Sequence, residues 1–408
     1  MLLYLFVYNA ATTLLIFLND IFNSSSLTRY FDLRINQNIS SAASSDCLFH
    51  CASYGEYLSI KPLLLQIKKI YPKKKITISF LSPSGYENAQ EPHLYNSKIY
   101  CPVDSKKAVF NWLKIVDPSL VIIAQNEVWP MFLSALGQRK IPFIYVESYF
   151  NENLKNKIWL KLNKLLIGKA ERIFVQNQNT ASFLKKIWPF KVDNVGSLRQ
   201  EHIKKELSLA HDLQIIKDFK DDKLLLVLGS THIADFKVIG SALPRLSYKI
   251  KLLIAPHDIS DSHLNFIDNF LKDTPSFRYS EGFQEGNNIC ILDQFGVLKY
   301  TYQYADIVYI GGGFGKGIHN VLEPAFYETP IIVGTKYRKF AEALLLEKNG
   351  ELTSIKSANS MIDTINTIIG NQSFIKKNKS TPNKSANQPS IRILQSIEHY
   401  ISTGEQKL

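Results

Sequence analysis

The amino-acid sequence predicts an α/β protein with two lobes, each built around a parallel β-sheet. Its 408 residues suffice for two domains of ordinary size. Hydrophobic residues make up 45% and charged residues 21%, which is typical of folded soluble proteins and excludes disorder, collagen and a coiled-coil rod. From Cys47 onward, short apolar runs alternate with amphipathic stretches, the pattern of repeated βα units.

The apolar runs form two sets of predicted strands separated by the polar segment Gly196–Gln214. The first set is Cys47–Cys51, Ile76–Leu81, Leu120–Ala124, Phe143–Glu147 and Ile173–Gln176; the second is Leu224–Gly229, Lys251–Ala255, Ile289–Leu292, Ile307–Ile310 and Ile331–Val333. Two Rossmann-like lobes are therefore expected, over residues 47–200 and 201–370. Such lobes bind ligands at the carboxyl ends of their strands.

The two ends of the chain carry separate predictions. Residues 2–18 are mostly apolar but fall short of the ~20 apolar residues that a membrane span needs. We expect residues 1–22 to be an uncleaved membrane-anchor helix that lies in or crosses one leaflet, with an ordinary buried helix as the alternative. A linker is expected over 23–46, a flexible basic loop over 371–390, and a helix over 391–408 that packs back on the body.

The net charge of +12 favours an anionic partner. Basic residues are spread along helices without interleaved aromatic residues, so no nucleic acid is expected as a partner. Residues 154–172 hold six Lys and Arg against one acid, and we expect this segment to face an anionic membrane surface or acceptor phosphates; the alternative is a solvated surface helix. Four cysteines are too few for a disulfide framework and indicate a reducing compartment.

Candidate functional residues follow three strands of the first lobe. The segment His50–Glu56 places small residues in a tight turn and Glu56 in the first turn of a helix, where the helix dipole stabilises a carboxylate even without a catalytic role. The turn Ser82–Gly85 supplies hydroxyl and backbone N–H groups. Glu127 stands at a strand tip before Trp-Pro, where turn residues are usual, and is expected to line a cleft.

In the second lobe, the segment Gly311–Pro324 is the most informative. Five glycines in seven residues allow the backbone to approach a ligand, and the helix near Glu323 offers free N–H groups to a phosphate; a glycine-rich hinge is the alternative. Neither a dinucleotide fingerprint nor a P-loop is present. The His and Cys residues lack metal-ligand spacing and the chain lacks a D-x-D motif, so no metal site is predicted.

Taken together, these motifs resemble the 3-deoxy-D-manno-octulosonic acid (Kdo) transferases that add Kdo to the lipid A precursor of lipopolysaccharide. H-C-A-S-Y-G-E resembles the family's A-S-x-G-E, S-P-S-G its [TS]-P-[TS]-G, E-V-W-P its E-x-W-P, and the glycine-rich segment its H-N-x-L-E-P block. The resemblance, over about residues 1–355, implies a glycosyltransferase-B fold, a CMP-Kdo donor, a lipid A precursor (lipid IVA) acceptor and no cofactor. It also implies an anchor on the cytoplasmic side of the inner membrane.

The resemblance assigns roles to individual residues. Glu56 takes the position of the general base in an inverting displacement, Glu127 that of a second carboxylate, and Arg199 that of a cation available to the transition state. The acceptor-side residues are Ser53, Gly55, Ser82, Ser84 and Gly85. The donor residues are Pro256, His257, Phe295, Gly296, Val297, Asn320 and Glu323, to which the motifs add Ser230, Thr231 and Gly313.

The chain departs from the commoner family pattern at two places. It has Pro-His-Asp in place of Pro-Arg-His, and Phe-Gly-Val in place of Met-Gly-Glu. Two alternatives therefore remain: another sugar-nucleotide transferase of the same fold with a different donor, and a non-catalytic two-lobed binding protein.

Overall fold

The computed structural model describes residues 1–22, 25–35, 37–42, 44–149, 158–208, 211–371 and 388–402. The chain forms two compact units. The first unit comprises Met1–His202 with Ala386–Leu408, and the second comprises Ile203–Ser385. Each contains a sheet of seven parallel strands.

The sheet of the first unit has the strand order β3-β2-β1-β4-β5-β6-β7. Its strands are β1 (Cys47–Cys51), β2 (Ile76–Phe80), β3 (Ser97–Tyr100), β4 (Leu120–Ala124), β5 (Phe143–Ser148), β6 (Arg172–Val175) and β7 (Val192–Asn194). The helices are α1 (Leu2–Phe22), α2 (Ser25–Ile35), α3 (Tyr54–Ile70), α4 (Pro83–Asn88), α5 (Lys106–Val116), α6 (Pro130–Arg139), α7 (Ile158–Ile167), α8 (Gln178–Lys185) and α9 (Leu198–Leu207). The order reverses between β1 and β4, and such a switch point opens a crevice at the carboxyl ends of the strands.

The second unit repeats this architecture with the strand order β10-β11-β9-β8-β12-β13-β14. Its strands are β8 (Leu225–Thr231), β9 (Lys251–Pro256), β10 (Ser276–Arg278), β11 (Ile289–Ile291), β12 (Ile307–Ile310), β13 (Ile331–Val333) and β14 (Leu352–Ser354). The helices are α10 (Gln214–Lys220), α11 (Ile233–Ile239), α12 (Leu243–Ser247), α13 (Asp261–Phe270), α14 (Leu298–Thr301), α15 (Leu322–Phe326), α16 (Ala341–Lys348) and α17 (Ala358–Gly370). Here the order reverses between β8 and β12.

The two parallel sheets and all the strands predicted from apolar runs are confirmed. Strands such as β1, β2 and β4 are buried along their whole length, because helices cover both faces of a parallel sheet. Four further strands were not predicted from the sequence: β3, β7, β10 and β14. All four lie at sheet edges and have only three or four residues, so they contain no apolar run.

A final helix, α18 (Pro389–Ser402), belongs to the first unit. Its apolar residues Ile393, Ile397 and Ile401 recur at helical spacing, are buried, and join the same core cluster as residues of α3. The Tyr71 hydroxyl donates a hydrogen bond to Glu398 at 2.7 Å. Most of the predicted basic loop, residues 372–387, lies outside the described residues.

The apolar segment at the N-terminus is helical, as α1. Within the described residues, no helix is both long enough and apolar enough to cross a membrane. Leu5 and Tyr8 pack against the core of the first unit, and the Lys106 N–H donates to Asn9 Oδ1 at 2.7 Å. Residues 23–46, predicted as a linker, contain α2, in which Phe31 and Arg34 are buried.

Candidate active site

Glu56 lies at the turn between β1 and α3. Ser53 caps the helix, since its Oγ accepts a hydrogen bond from the Glu56 N–H at 3.4 Å. In return, the Ala52 N–H donates to the Glu56 carboxylate at 2.6 Å. This reciprocal arrangement resembles a capping box and holds the carboxylate over the end of the strand. Glu56 is 8% exposed.

The electrostatics of this turn favour a protonated Glu56 below neutral pH. Burial raises the pKa of Glu56 to about 7, the hydrogen bond from Ala52 opposes the shift, and the negative charge of Glu127 adds to it. Burial also raises the pKa of Glu127, against the effect of the Trp129 indole N–H that donates to its carboxylate at 3.0 Å. Because β1 and β4 are neighbours, the two carboxylates share one edge of the sheet. A carboxyl group that titrates near pH 7 is suited to general-base catalysis.

The turn after β2 lies beside the Glu56 turn. The Ser82 N–H donates to the Ala52 carbonyl at 2.9 Å, and the Ser82 Oγ accepts from the Gly85 N–H at 3.2 Å to cap α4. Glycine is required at position 85 because neighbouring atoms lie close to its Cα. A Cβ there would lie 2.5 Å from the Phe80 ring and 3.2 Å from the backbone carbonyl carbon of Ser53. The structure therefore brings these predicted acceptor-side residues together.

The remaining acceptor-side residues lie in the same two turns. Ser84 is exposed, and its Oγ lies 3.0 Å from that of Ser82. Gly55 is also exposed, and a Cβ there would lie 3.8 Å from the Ser53 Oγ, so nothing in its packing requires glycine.

Glu147, at the end of β5, is an acidic residue that the sequence reasoning missed as a site residue. It is 2% exposed and has a positive φ of 58°. Its carboxylate accepts hydrogen bonds from the Leu198 N–H, from the Ser197 hydroxyl at 3.3 Å and from Gln176 at 2.7 Å. Burial raises its pKa to about 7. The available signal was a charged residue at the end of an otherwise apolar strand.

The contacts of Glu147 hold the start of α9, which contains Arg199. Arg199 is the second residue of this helix, and its backbone N–H also hydrogen-bonds the Glu147 carboxylate. The helix follows the edge strand β7, three strands along the sheet from β4. Arg199 is therefore placed through Glu147, by a contact between residues far apart in the sequence.

The glycine-rich loop of the second unit follows β12 and is packed tightly. Gly313 contacts the backbone of Gly334, such that a Cβ on Gly313 would lie 2.6 Å from the Gly334 nitrogen. Gly312 has a φ of 88° and approaches the Gly317 carbonyl. The helix predicted near Glu323 is α15, and Asn320 Nδ2 donates to Glu323 at 2.8 Å.

Asp235 is a second acid that the sequence reasoning missed. It is fully buried and accepts hydrogen bonds from the N–H groups of His232 and Gly312, both at 2.9 Å, and from the Tyr309 hydroxyl at 2.8 Å. It thereby ties the turn after β8 to the glycine-rich loop. An acidic residue three positions after His232, at a helix start, was the available signal.

The other predicted donor residues lie at the carboxyl ends of β8, β9 and β11. Thr231 is buried, and its carbonyl accepts from the His257 N–H at 3.0 Å, which joins the ends of β8 and β9. Ser230 has a φ of 53°, and Pro256 is the last, buried residue of β9. Beyond β11, Phe295 is 76% exposed, Gly296 has a φ of 82° and Val297 lies at the start of α14.

Three histidines from separate loops converge at this edge. One ring nitrogen from each of His232, His257 and His319 lies within 4.8 Å of the others. The Nε2 atoms of His232 and His319 are 2.7 Å apart, and the His257 ring centroid lies 4.6 Å and 4.4 Å from those of His232 and His319. The sequence shows no ligand spacing here because the three residues follow different strands.

Residues 28–202 match the family described as 3-deoxy-D-manno-octulosonic-acid transferase (kdotransferase). This match, together with relatives that are named Kdo transferases, supports membership of the Kdo transferase family. The Kdo transferase of Haemophilus influenzae is 23% identical over 347 residues, which are 79% of each chain. That of Aquifex aeolicus is 24% identical over 335 residues, 80% of this chain and 87% of the relative. This Kdo transferase homologue is thus a glycosyltransferase enzyme.

One relative is longer than this chain. A bifunctional glycosyltransferase/methyltransferase of Fusobacterium nucleatum is 26% identical over 385 residues, which are 89% of this chain and 59% of that protein. This chain therefore spans less than two thirds of the length of that relative.

Solved structures support the fold. The UDP-GlcNAc 2-epimerase of Neisseria meningitidis has a TM-score of 0.61 at 15% identity and covers 86% of this chain and 99% of its own. MurG of Acinetobacter baumannii has a TM-score of 0.57 at 12% identity, with 87% and 99% covered. The two parallel-sheet lobes of this chain thus resemble those of glycosyltransferase-B proteins.

Proposed function

We propose that this enzyme transfers Kdo from CMP-Kdo to a hydroxyl of the lipid A precursor. The observation that carries the proposal is a pair of carboxylates, the buried Glu56 and the half-buried Glu127, at neighbouring strand ends of the unit that matches the family. The donor and acceptor are inferred from the family, and the role of a general base is inferred from the geometry of the carboxylates.

Glu56 is proposed as the general base. A sugar hydroxyl is a poor nucleophile unless its proton leaves as it attacks, so the carboxylate must be ionised and must bind that proton well. The raised pKa of about 7 provides the second property, and the hydrogen bond from the Ala52 N–H keeps the ionised form accessible at neutral pH. The nearby charge of Glu127 favours proton uptake by Glu56.

The leaving CMP carries the developing negative charge. In the second unit, the backbone N–H groups of the glycine-rich loop, together with Asn320 and the first turn of α15, are proposed to bind the donor phosphate. Arg199 is the proposed cation that acts on the transition state. Direct attack by the acceptor oxygen would invert the anomeric centre, and the sequence pattern, which lacks D-x-D, favours a metal-independent step.

The enzyme is further proposed to work at the cytoplasmic side of the inner membrane. On α1, Leu3, Phe6 and Val7 are 75%, 70% and 57% exposed, although the adjacent Leu5 and Tyr8 pack on the first unit. An exposed apolar helix face of this kind suits a helix lying in the membrane surface.

The neighbouring helix α7 extends this face. The Tyr4 hydroxyl donates to Asn163 at 3.3 Å, and Leu165 is 65% exposed next to the exposed Lys164. The first four residues of the basic segment 154–172 lie outside the described residues. An apolar face with an adjacent cation suits an anionic leaflet.

The catalytic proposal is tested with purified enzyme, CMP-Kdo and lipid IVA, with products identified by mass spectrometry. Glu56→Gln should lower turnover by at least ~10²-fold while CMP binding is kept, whereas Glu87→Gln, at an exposed glutamate of α4, should have no effect. Full turnover by Glu56→Gln would show that another residue is the base, and Glu127 would be the next candidate. Absence of product from the wild-type enzyme, or stabilisation by UDP rather than CMP in a thermal-shift assay, would overturn the donor assignment.

The membrane proposal is tested by sedimentation with vesicles that contain anionic phospholipid. A variant with Leu3→Ser and Phe6→Ser should lose vesicle binding, whereas Phe190→Ser, at an apolar residue 89% exposed elsewhere in the first unit, should bind like the wild type. Equal binding by all three proteins would refute a role for α1.

A further inference from the structure

The histidine cluster of the second unit has the composition of a transition-metal site. His232 follows β8, His257 follows β9 and His319 lies after the glycine-rich loop, so each ligand comes from a separate loop at the same edge of the sheet. Neutral imidazole nitrogens are ordinary ligands for Zn²⁺, at about 2.0–2.1 Å from the ion. Three nitrogens that lie within 4.8 Å of one another can reach a single ion if the rings rotate towards it.

A contact within the cluster competes with metal binding. The 2.7 Å separation between the Nε2 atoms of His232 and His319 fits a hydrogen bond between the two rings, which a metal ion would have to replace.

The charges around the cluster favour a bound cation, because the negative charge is buried beside it and the positive charge is exposed to solvent. The Asp235 carboxylate is fully buried next to the cluster, and its charge acts on both His232 and His319. Lys316 acts on His232 in the opposite sense, but it lies in the exposed part of the glycine-rich loop, where solvent screens its charge. Asp235 also fixes the two loops that carry these histidines, through the N–H groups of His232 and Gly312.

We propose that His232, His257 and His319 bind one divalent transition-metal ion of the Zn²⁺ class. Three protein ligands leave the fourth position of a tetrahedron open, as in catalytic rather than structural zinc sites. The cluster includes His257, a predicted donor residue, but Co²⁺ and Zn²⁺ binding is measured without transfer and therefore does not depend on the chemistry proposed for Glu56.

The test uses the full-length chain and Co²⁺ as a spectroscopic probe, followed by displacement with Zn²⁺ in calorimetry. The wild type should bind one Co²⁺ and show the intense visible absorption of a tetrahedral site. His319→Gln and His257→Gln should each weaken Zn²⁺ binding more than about 10-fold, since loss of even an outer partner of a metal site costs that much. His211→Gln, at an exposed histidine of the same unit that stacks on Tyr300, is the matched control and should bind like the wild type.

The choice of variants keeps the result interpretable. His257 is exposed, so its substitution leaves the core of the unit intact, and circular dichroism checks this directly. No Co²⁺ binding by the wild type, or equal binding by the His257 variant and the wild type, would overturn the proposal. Loss of Co²⁺ binding by the His257 and His319 variants, with binding kept by His211→Gln, would support the site whatever their Kdo transfer, because His257 is also a predicted donor residue.

Discussion

Substitution of Gly313 tests whether the glycine-rich loop is built for close packing. A Cβ at Gly313 would lie 2.6 Å from the nitrogen and 2.7 Å from the Cα of Gly334, both backbone atoms. Ordinary contacts of a Cβ begin at 3.4 Å, so the loops after β12 and β13 must separate by about 0.8 Å to admit a methyl group. In Gly313→Ala, such a separation would also strain the hydrogen bond from the Lys336 N–H to the Gly313 carbonyl, now 2.9 Å.

The cost of Gly313→Ala follows from these contacts. Overpacking in a close-packed region costs about 1–3 kcal/mol, and a weakened backbone hydrogen bond adds about 0.5–1.5 kcal/mol. The loss of glycine flexibility in the unfolded chain returns about 0.4–1 kcal/mol. The variant should therefore be about 1–3 kcal/mol less stable, equivalent to a fall in Tm of about 2–12 °C for a unit of this size.

Gly315→Ala is the matched control in the same loop. There the nearest atoms to a Cβ are the Gly312 oxygen at 3.5 Å and the Ala234 Cβ at 4.0 Å, which are ordinary contacts. Its stability should stay within about 0.5–1 kcal/mol of the wild type, with any change towards greater stability.

Urea unfolding followed by two probes provides the measurement. All four tryptophans lie in the first unit, so their fluorescence reports that unit, whereas far-UV circular dichroism reports both. The dichroism midpoint of Gly313→Ala should fall below those of the wild type and Gly315→Ala. Equal midpoints for the two alanine variants would refute the packing argument. If the argument holds, a loss of CMP binding in Gly313→Val would reflect misfolding rather than a lost ligand contact.

Three further predictions concern buried acids, and a fourth concerns the metal dependence of the transfer. Because Glu56 must be ionised to accept a proton and its pKa is about 7, kcat should fall about tenfold per pH unit below pH 7, and a flat kcat profile between pH 5 and 8 would exclude it as the base. Glu147 holds its proton more tightly in the folded protein, so its contribution to stability is lost as the pH rises from 4.5 to 7. Urea midpoints at pH 5 and 8 should show that Glu147→Gln removes about 2.5 kcal/mol of that pH dependence. Asp235→Ala leaves three donors without an acceptor and should cost at least about 3 kcal/mol in urea unfolding, and a smaller loss would mean that water replaces the carboxylate. EDTA should leave Kdo transfer unchanged, and an inhibition by EDTA that Mg²⁺ reverses would contradict the metal-independent step.

Features of the site that depend on adjacent residues could be predicted from the sequence. Glu56 is held by Ser53 and Ala52, three and four positions away, so the motif itself encodes the turn. The same holds for the cap of α4 by Ser82 and for the start of α15 after Asn320. In each case the partners are brought together by the backbone geometry of one turn.

Contacts between distant segments could not be predicted in this way. Glu147 meets the start of α9 across 51 residues, Asp235 meets Gly312 across 77, and His232 meets His319 across 87. These distances close only because β5, β6 and β7 lie side by side in the first sheet, and β8 lies between β9 and β12 in the second.

The sequence by itself determined the α/β class, the central strands and the motifs at their ends. Central strands are buried on both faces and therefore have to be apolar along their length, which makes them visible in the sequence. Only the tertiary structure decided the edge strands, the role of Glu147 and the histidine cluster. The physical reason is that strand order brings loops together at one edge of a sheet, and the spacing of residues along the chain carries no record of that order.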